Sequence, residues 1–136
     1  MTPEEIASFV DALYATAGAG DWEGAAAMLT EDFVAYEAPG LPMAGAYRGK
    51  SGLKDLFVKV MGLVEVAGLE RTDMTVGQDV AIAVITMRFA DPALAPAELC
   101  EMFRFRDGKC CEIKPYYYDP APFIAACDAH KLAQGA

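Results

Sequence analysis

Residues 99–119 read Leu99-Cys100-Glu101-Met102-Phe103-Arg104-Phe105-Arg106-Asp107-Gly108-Lys109-Cys110-Cys111-Glu112-Ile113-Lys114-Pro115-Tyr116-Tyr117-Tyr118-Asp119. Two alternating runs flank an Asp-Gly dipeptide, the short-range signature of a β-hairpin closed by a two-residue turn. At period two the first run places Leu99, Glu101, Phe103 and Phe105 on one face and Cys100, Met102, Arg104 and Arg106 on the other. The second run places Cys111, Ile113, Pro115 and Tyr117 on a stripe that ends at Asp119. Each apolar stripe therefore carries one carboxylate. Charged groups are rare on buried faces unless they are paired or used, so Glu101 and Asp119 call for more than a fold-level explanation.

Working outward, the segment before the hairpin, Val80–Phe89, is a strong strand with two apolar faces. That pattern predicts a central strand covered on each side. Leu69–Val76 is a further strand, with Gly77-Gln78-Asp79 as the turn between them. Upstream, Ser51 is placed to cap a helix with the face Leu53, Leu56, Phe57, Val60 and Met61. Pro39–Arg48 holds too many breakers for a regular element and reads as a loop with a short extended piece at Ala46-Tyr47. Asp32–Ala38 reads as a strand with Phe33, Ala35 and Glu37 on one face, which makes Glu37 a third carboxylate of interest.

The chain opens with two helices. Thr2-Pro3-Glu4-Glu5 has the form of a capping box with proline at the first helical position, and Ile6, Phe9, Val10, Leu13, Tyr14 and Ala17 follow at helical spacing. Asp21 caps a second helix that runs to about Thr30. After Asp119, the Pro120-Ala121-Pro122 opening and the Phe123, Ile124, Cys127 spacing predict a short C-terminal helix with a frayed tail. Helices, a strand, a helix and then a run of strands form an α+β pattern. The expected architecture is a curved antiparallel sheet shaped as a cone, with three to four helices enclosing a pocket.

The 136 residues fit a single domain spanning 1–136, and 54% hydrophobic content suffices for a core wrapped around a cavity. The net charge of −9 disfavours nucleic acid and anionic membranes as partners. No apolar run approaches a membrane span and the N-terminus lacks the pattern of a signal peptide, so a soluble cytoplasmic protein is expected. Four cysteines without paired spacing and a single histidine point to no metal site. Reduced, partly buried cysteines are the expectation. No phosphate loop or nucleophile triad is present, and no cofactor is expected.

Several segments together resemble the nuclear transport factor 2-like superfamily, and within it the SnoaL-like branch. They are Gly20-Asp21-Trp22, Leu29-Thr30-Glu31-Asp32-Phe33-Val34, Gly45-Ala46-Tyr47-Arg48-Gly49-Lys50, Phe103-Arg104-Phe105-Arg106-Asp107-Gly108-Lys109 and Tyr117-Tyr118-Asp119. The resemblance implies a cone of curved strands around a deep pocket, often assembled as a homodimer through the sheet. Similarity to ketosteroid isomerase, another member, lays its general base on Glu37 and its oxyanion-hole acid on Glu101. Its oxyanion-hole tyrosine falls on or beside Leu13, so Tyr14 matches only with a shift of one residue. The polyketide-cyclase branch implies an acid/base aspartate near the end of the sheet, for which Asp119 is the candidate.

The catalytic candidates are thus Glu37, Glu101 and Asp119, and each has a structural alternative. Glu37 can sit exposed at a strand end, Glu101 can pair with Arg88 or Arg104, and Asp119 before Pro120 can simply cap a helix. Tyr14, Tyr36, Tyr117, Phe103 and Ile113 are the candidates for contacting a small apolar or amphipathic molecule. The implied activity is cofactor-independent acid/base chemistry of isomerase, cyclase, dehydratase or hydrolase type on an apolar, polyketide- or steroid-like substrate. The alternative is a non-catalytic domain that binds a hydrophobic ligand or dimerises.

Overall fold

The computed structural model describes residues 1–135. Helix α1 spans Pro3–Gly18, and both halves of its capping box form: Glu5 N–H donates to Thr2 Oγ1 at 3.1 Å and Thr2 N–H to Glu5 Oε1 at 2.9 Å. Its buried stripe is Ile6, Val10, Leu13 and Ala17. Helix α2, Trp22–Ala27, starts at Asp21, whose Oδ1 accepts the Gly24 N–H at 2.9 Å. It stops short of the expected Thr30 because strand β1, Leu29–Glu37, already begins there. Leu29 is fully buried and pairs with Cys110, and Met28 O accepts the Cys110 N–H at 3.0 Å, so sheet pairing overrides helix continuation.

Strand β2, Gly45–Arg48, forms around the expected extended piece and pairs with β1. Helix α3 spans Gly52–Leu63. Ser51 precedes it in a helical rather than extended conformation, which turns its hydroxyl away from the free N–H groups. The hydroxyl bonds Asp55 Oδ2 at 3.2 Å instead of capping the backbone. Gly52 is required here, since a Cβ would lie 2.4 Å from the Tyr47 carbonyl oxygen. The remaining elements are β3 (Val66–Gly77), β4 (Val80–Phe89), β5 (Ala97–Arg106), β6 (Lys109–Tyr117) and α4 (Ala121–Gly135).

The six strands form one sheet in the order β2-β1-β6-β5-β4-β3. It is curved and open, with free edges at β2 and β3, and the fold is α+β. All pairings are antiparallel except β1 with β6, which run parallel and make the sheet mixed. Hydrophobic alternation carries face but not direction, so the relative sense of strands distant in sequence was beyond the antiparallel expectation.

At the β5–β6 hairpin Asp107 (φ 54°) and Gly108 (φ 75°) are both left-handed, as a type I′ turn demands. The inward stripe of β5 is the expected one. On β6 a register shift opposite Arg104 and Phe105 pairs Phe105 with Cys110, so Cys110 rather than Cys111 enters the core. Strand β4 differs from expectation as well. Ala81, Ala83, Ile85, Met87 and Phe89 are buried, but on the other face Val84 is 39% exposed. The helices pack on one side of the sheet, so within a single chain only one face of β4 is covered.

Helix α4 is also longer than a short frayed segment, because Phe123, Ala126 and Cys127 bury against the sheet. The Phe123 ring meets Phe89 and Tyr117 edge-on at centroid distances of 6.2 and 5.9 Å. No helix among the described residues is long and apolar enough to cross a membrane.

Phe123 is fully buried, whereas Val58 on α3 is 56% exposed. Phe123→Ala is expected to lower unfolding free energy by roughly 3–5 kcal/mol and Val58→Ala by less than about 0.5 kcal/mol. Urea denaturation of the two variants against the parent checks this. Similar losses for both would show that α4 is not part of the cooperative core.

Candidate active site

The concave face of the sheet, α1 and α3 enclose a cavity of about 220 Å³. Its apolar lining comes from the stripes that build the core: Leu13 and Ala17 of α1, Leu53, Leu56, Phe57, Val60 and Met61 of α3, and Val66, Leu69, Met87, Leu99, Phe103, Ile113 and Pro115 of the strands. Four polar side chains open into it, Tyr14, Glu37, Glu101 and Tyr117. No Lys, Arg or His lines it.

Each polar group arrives through strand or helix periodicity. Glu101 occupies the inward stripe of β5, between Leu99 and Phe103 and opposite Ala83 and Pro115. Glu37 is the last residue of β1, two positions beyond buried Ala35, and is itself only 8% exposed. Tyr117 ends the inward stripe of β6. Tyr14 lies one residue past Leu13 on α1, and its hydroxyl donates to Glu101 Oε1 at 2.5 Å. The Tyr14 ring packs edge-to-face with Phe103 at a centroid distance of 5.7 Å, and the Arg71 guanidinium lies over it at 4.6 Å.

The electrostatics follow from this apolar enclosure. Burial raises the Glu37 carboxyl from the ordinary value of 4.5 to about 8, with a further contribution from the charge of Glu101. Glu37 Oε1 has no hydrogen-bond partner. Burial also raises Glu101, opposed by the hydrogen bond from Tyr14. Tyr14 and Tyr117 are raised by burial and by the neighbouring carboxylates, which keeps both as phenol donors. The site thus holds two carboxyl groups of unequal environment, one bonded and one free, and two neutral hydroxyls. Such a pair is suited to proton transfer.

The structure brings together Glu37, Glu101, Tyr14, Tyr117, Phe103 and Ile113. Arg88 does not reach Glu101 but pairs with Glu70 at 3.1 Å, and Arg104 lies 3.8 Å from Glu112, both away from the cavity. Two candidates fall outside. Asp119 is exposed and its Oδ1 accepts the Ala121 N–H at 3.0 Å, the capping alternative. The strand ends at Tyr117, so Asp119 no longer follows its alternation. Tyr36 lies on the opposite face of β1, beneath Lys114 at 5.6 Å, because its neighbours Ala35 and Glu37 take the inward positions.

Among the described residues no cluster of His, Cys, Asp and Glu is arranged to hold a metal ion. The four cysteines are unpaired, and burial pushes the Cys110 thiol up to about 12. Sequence reasoning assigned Leu53, Leu56, Phe57, Val60 and Met61 to one helix face but not to a cavity. It missed the proximity of Arg71 altogether, since nothing in Leu69–Val76 marks one cation as inward.

Residues 10–113 match the SnoaL-like domain. No curated protein matches the chain. Among solved structures it is similar to an NTF2-like protein from Burkholderia xenovorans LB400, at 24% identity over 93% of this chain and 98% of that one, with a TM-score of 0.79. It is also similar to TerC, co-crystallized with polyporic acid, at 19% identity over 93% and 99% of the two chains and a TM-score of 0.75. A third, described as a putative polyketide cyclase from Sinorhizobium meliloti, is 15% identical over 85% of this chain and all of that one, with a TM-score of 0.68. At these identities the structural likeness establishes the fold.

The raised Glu37 carboxyl has a consequence for stability. The folded protein holds this proton up to about pH 8, whereas the unfolded chain releases it near 4.5, so stability falls as pH rises between those values. The slope amounts to roughly 1.4 kcal/mol for each pH unit in that window. Glu37→Gln should flatten it and make the variant more stable than the parent at pH 8. Urea denaturation at pH 5 and pH 8 measures the difference, and equal pH dependence in both proteins would show that Glu37 ionises freely in the folded state.

Proposed function

The chain belongs to the SnoaL-like domain family, and on that premise we propose that its cavity is the active site of a cofactor-independent enzyme that moves protons on a small, largely apolar carbonyl compound. One observation carries the proposal: a buried carboxyl with a free oxygen, Glu37, shares an apolar cavity with a second carboxyl, Glu101, that is already bonded by a phenol. Fold alone would not support it, since one architecture hosts many functions.

In the proposed reaction the two carboxyl groups share one proton, and the reacting form is the one in which it sits on Glu101: ionised Glu37 then takes a proton from the carbon next to the carbonyl. The electron pair of that C–H bond forms a carbon–carbon double bond as the π pair of the carbonyl moves onto its oxygen, giving an enolate. Protonated Glu101 donates to this oxygen while Tyr14 donates to Glu101 Oε1, so the two hydrogen bonds run in one direction and reinforce each other. Where the substrate carries a β,γ double bond, the enolate is a dienolate, and returning the proton from Glu37 to its γ carbon moves that double bond into conjugation with the carbonyl and completes an isomerisation. Ring closure or loss of water would begin from the same enolate. Tyr117 supplies a further donor on the wall, and Phe103 and Ile113 shape the apolar surface.

The substrate class follows from size and charge. A cavity of about 220 Å³ suits a molecule of about ten non-hydrogen atoms, scaled from benzene in a cavity on the order of 150 Å³. One or two rings fit that volume better than the four of a steroid. The absence of a cation from the lining disfavours a carboxylate or phosphate. TerC, similar to this chain in fold, was co-crystallized with polyporic acid, which supports small-molecule binding as a use of this fold. The largely apolar lining also favours a second reading, a non-catalytic domain for a hydrophobic ligand.

The reaction is tested by following hydrogen–deuterium exchange next to the carbonyl in a panel of one- and two-ring cyclic ketones in D2O by NMR. Exchange catalysed by the parent protein should rise with pH to a plateau above about 8, as Glu37 ionises. Glu37→Gln and Glu101→Gln should each reduce it by about 10²–10⁴-fold while ligand binding persists. Binding without exchange in the parent protein would favour the second reading.

We further place a second copy of the chain against the outward face of the sheet, in a cytoplasmic homodimer. Val84 at 39% and Tyr116 at 53% exposure leave apolar surface on that face, and a reducing cytoplasm suits four free cysteines. Sedimentation should report a dimer that Val84→Glu converts to a folded monomer. A monomeric parent protein would contradict this arrangement.

A further inference from the structure

Strand β3 is a sheet edge, and its side chains are mostly wet. Its pairing with β4 nevertheless sets one cation on the concave side. Leu69 lies opposite Met87 and Arg71 opposite Ile85, both buried, and directly opposed residues share a face. The register then shifts between Arg71 and Asp73, so that Met74, not Asp73, meets buried Ala83. The irregularity keeps Asp73 out and leaves Arg71 as the charged residue of β3 turned toward α1.

Arg71 Nη1 donates to Asp11 Oδ1 at 2.7 Å, and its guanidinium lies 4.6 Å from the centroid of the Tyr14 ring. Asp11 and Tyr14 are one turn apart on α1, so the cation bridges adjacent turns of the helix to the edge of the sheet. We propose that Arg71, anchored by Asp11, is a positioning residue that clamps Tyr14 in the orientation that bonds Glu101.

The case rests on what else surrounds the ring. On its inner side Phe103 packs edge-on. The ring also borders a groove walled by Asp11, Ala15, Gly18, Leu69 and Arg71, in which the guanidinium is the group that lies over the ring face, since Ala15 and Gly18 are too small to back it. Without Arg71 the phenol is free to swing into that groove and abandon Glu101. With it, the ring is held by contacts with both the cation and Phe103. Contribution to fold stability is not the explanation, because the Arg71–Asp11 pair is 33% and 61% exposed and ion pairs so wet add little. The guanidinium also polarises the phenol toward donation, the direction in which its charge acts on Tyr14. The ionisable groups facing the Tyr14–Glu101 pair are Glu37 from β1, Tyr117 and Cys110 from β6, Arg71 from β3 and Asp11 from α1.

The clamp deepens the catalytic reading of Tyr14 and Glu101 and rests on it for its function, but its test requires no turnover. Glutamate side-chain carboxyls labelled with ¹³C are titrated by NMR in the parent, Arg71→Met, Arg71→Lys, Asp11→Asn, Tyr14→Phe and the Arg71→Met/Tyr14→Phe double variant. Loss of the Tyr14 donor should raise the Glu101 midpoint, so Tyr14→Phe and Arg71→Met should each move it up by about half a pH unit or more. Arg71→Lys should restore part of the shift, and Asp11→Asn should produce a smaller rise in the same direction. In the Tyr14→Phe background Arg71→Met should add little, because its route to Glu101 is gone. An unchanged midpoint in Arg71→Met, or a full shift that survives in the Tyr14→Phe background, overturns the clamp. Parent Glu37 and Glu101 titrating like surface glutamates would instead overturn the catalytic reading, while the comparison among variants still decides the clamp.

Discussion

Glu101 faces the apolar interior because β5 is locked between β4 and β6, with Ala83 on one side and Pro115 on the other. In a pleated strand a slip of one residue would send Leu99, Glu101, Phe103 and Phe105 to the outer face together. The apolar members of the stripe prevent that slip, since all three are buried in the core. The carboxyl is therefore carried inward by the hydrophobic burial of its neighbours. The type I′ turn at Asp107-Gly108 holds the same register on the β6 side, and Ile113, Pro115 and Tyr117 complete the wall.

Burying two carboxyl groups in such a wall works against stability. Each loses hydration, and only Glu101 gains a hydrogen bond in return. Burial raises the pKa of both, and this is also what equips them for chemistry, because an acid with a raised pKa sits near the working pH. Glu37 and Glu101 are separated in environment by one phenol. Tyr14 bonds one and leaves the other free, which makes α1 a component of the site and not only its cover.

Much of the architecture was legible in local patterns. The capping box at Thr2, the cap at Asp21, the Asp107-Gly108 hairpin and the inward stripe of β5 are all set by interactions within a few residues, and each was found where the pattern placed it. Errors arose where a distant partner intervened. Leu29 was assigned to a helix and belongs to β1, because Cys110 claims it. Cys110 replaces Cys111 in the core because a register shift offsets β6. Two departures are local: Ser51 precedes α3 without capping it, and Asp119 leaves the stripe once the strand ends and takes the capping role that Pro120 leaves open to it.

By itself the sequence determined the order of elements, the alternation that sends Glu37 and Glu101 to one side of the sheet, and the lack of cationic or metal-binding patterns. Period and turn chemistry are local, so they survive without knowledge of the fold. The tertiary structure alone decided that β1 runs parallel to β6, that Tyr14 and not Leu13 presents a hydroxyl to Glu101, that Tyr36 and Asp119 stand outside the cavity, and that Arg71 lies over Tyr14. These depend on the rotation of α1 about its axis and on a shift in the pairing of β3. The first is set by packing of α1 on strands dozens of residues away and the second by an irregularity within the β3–β4 hairpin, and local periodicity is silent on both.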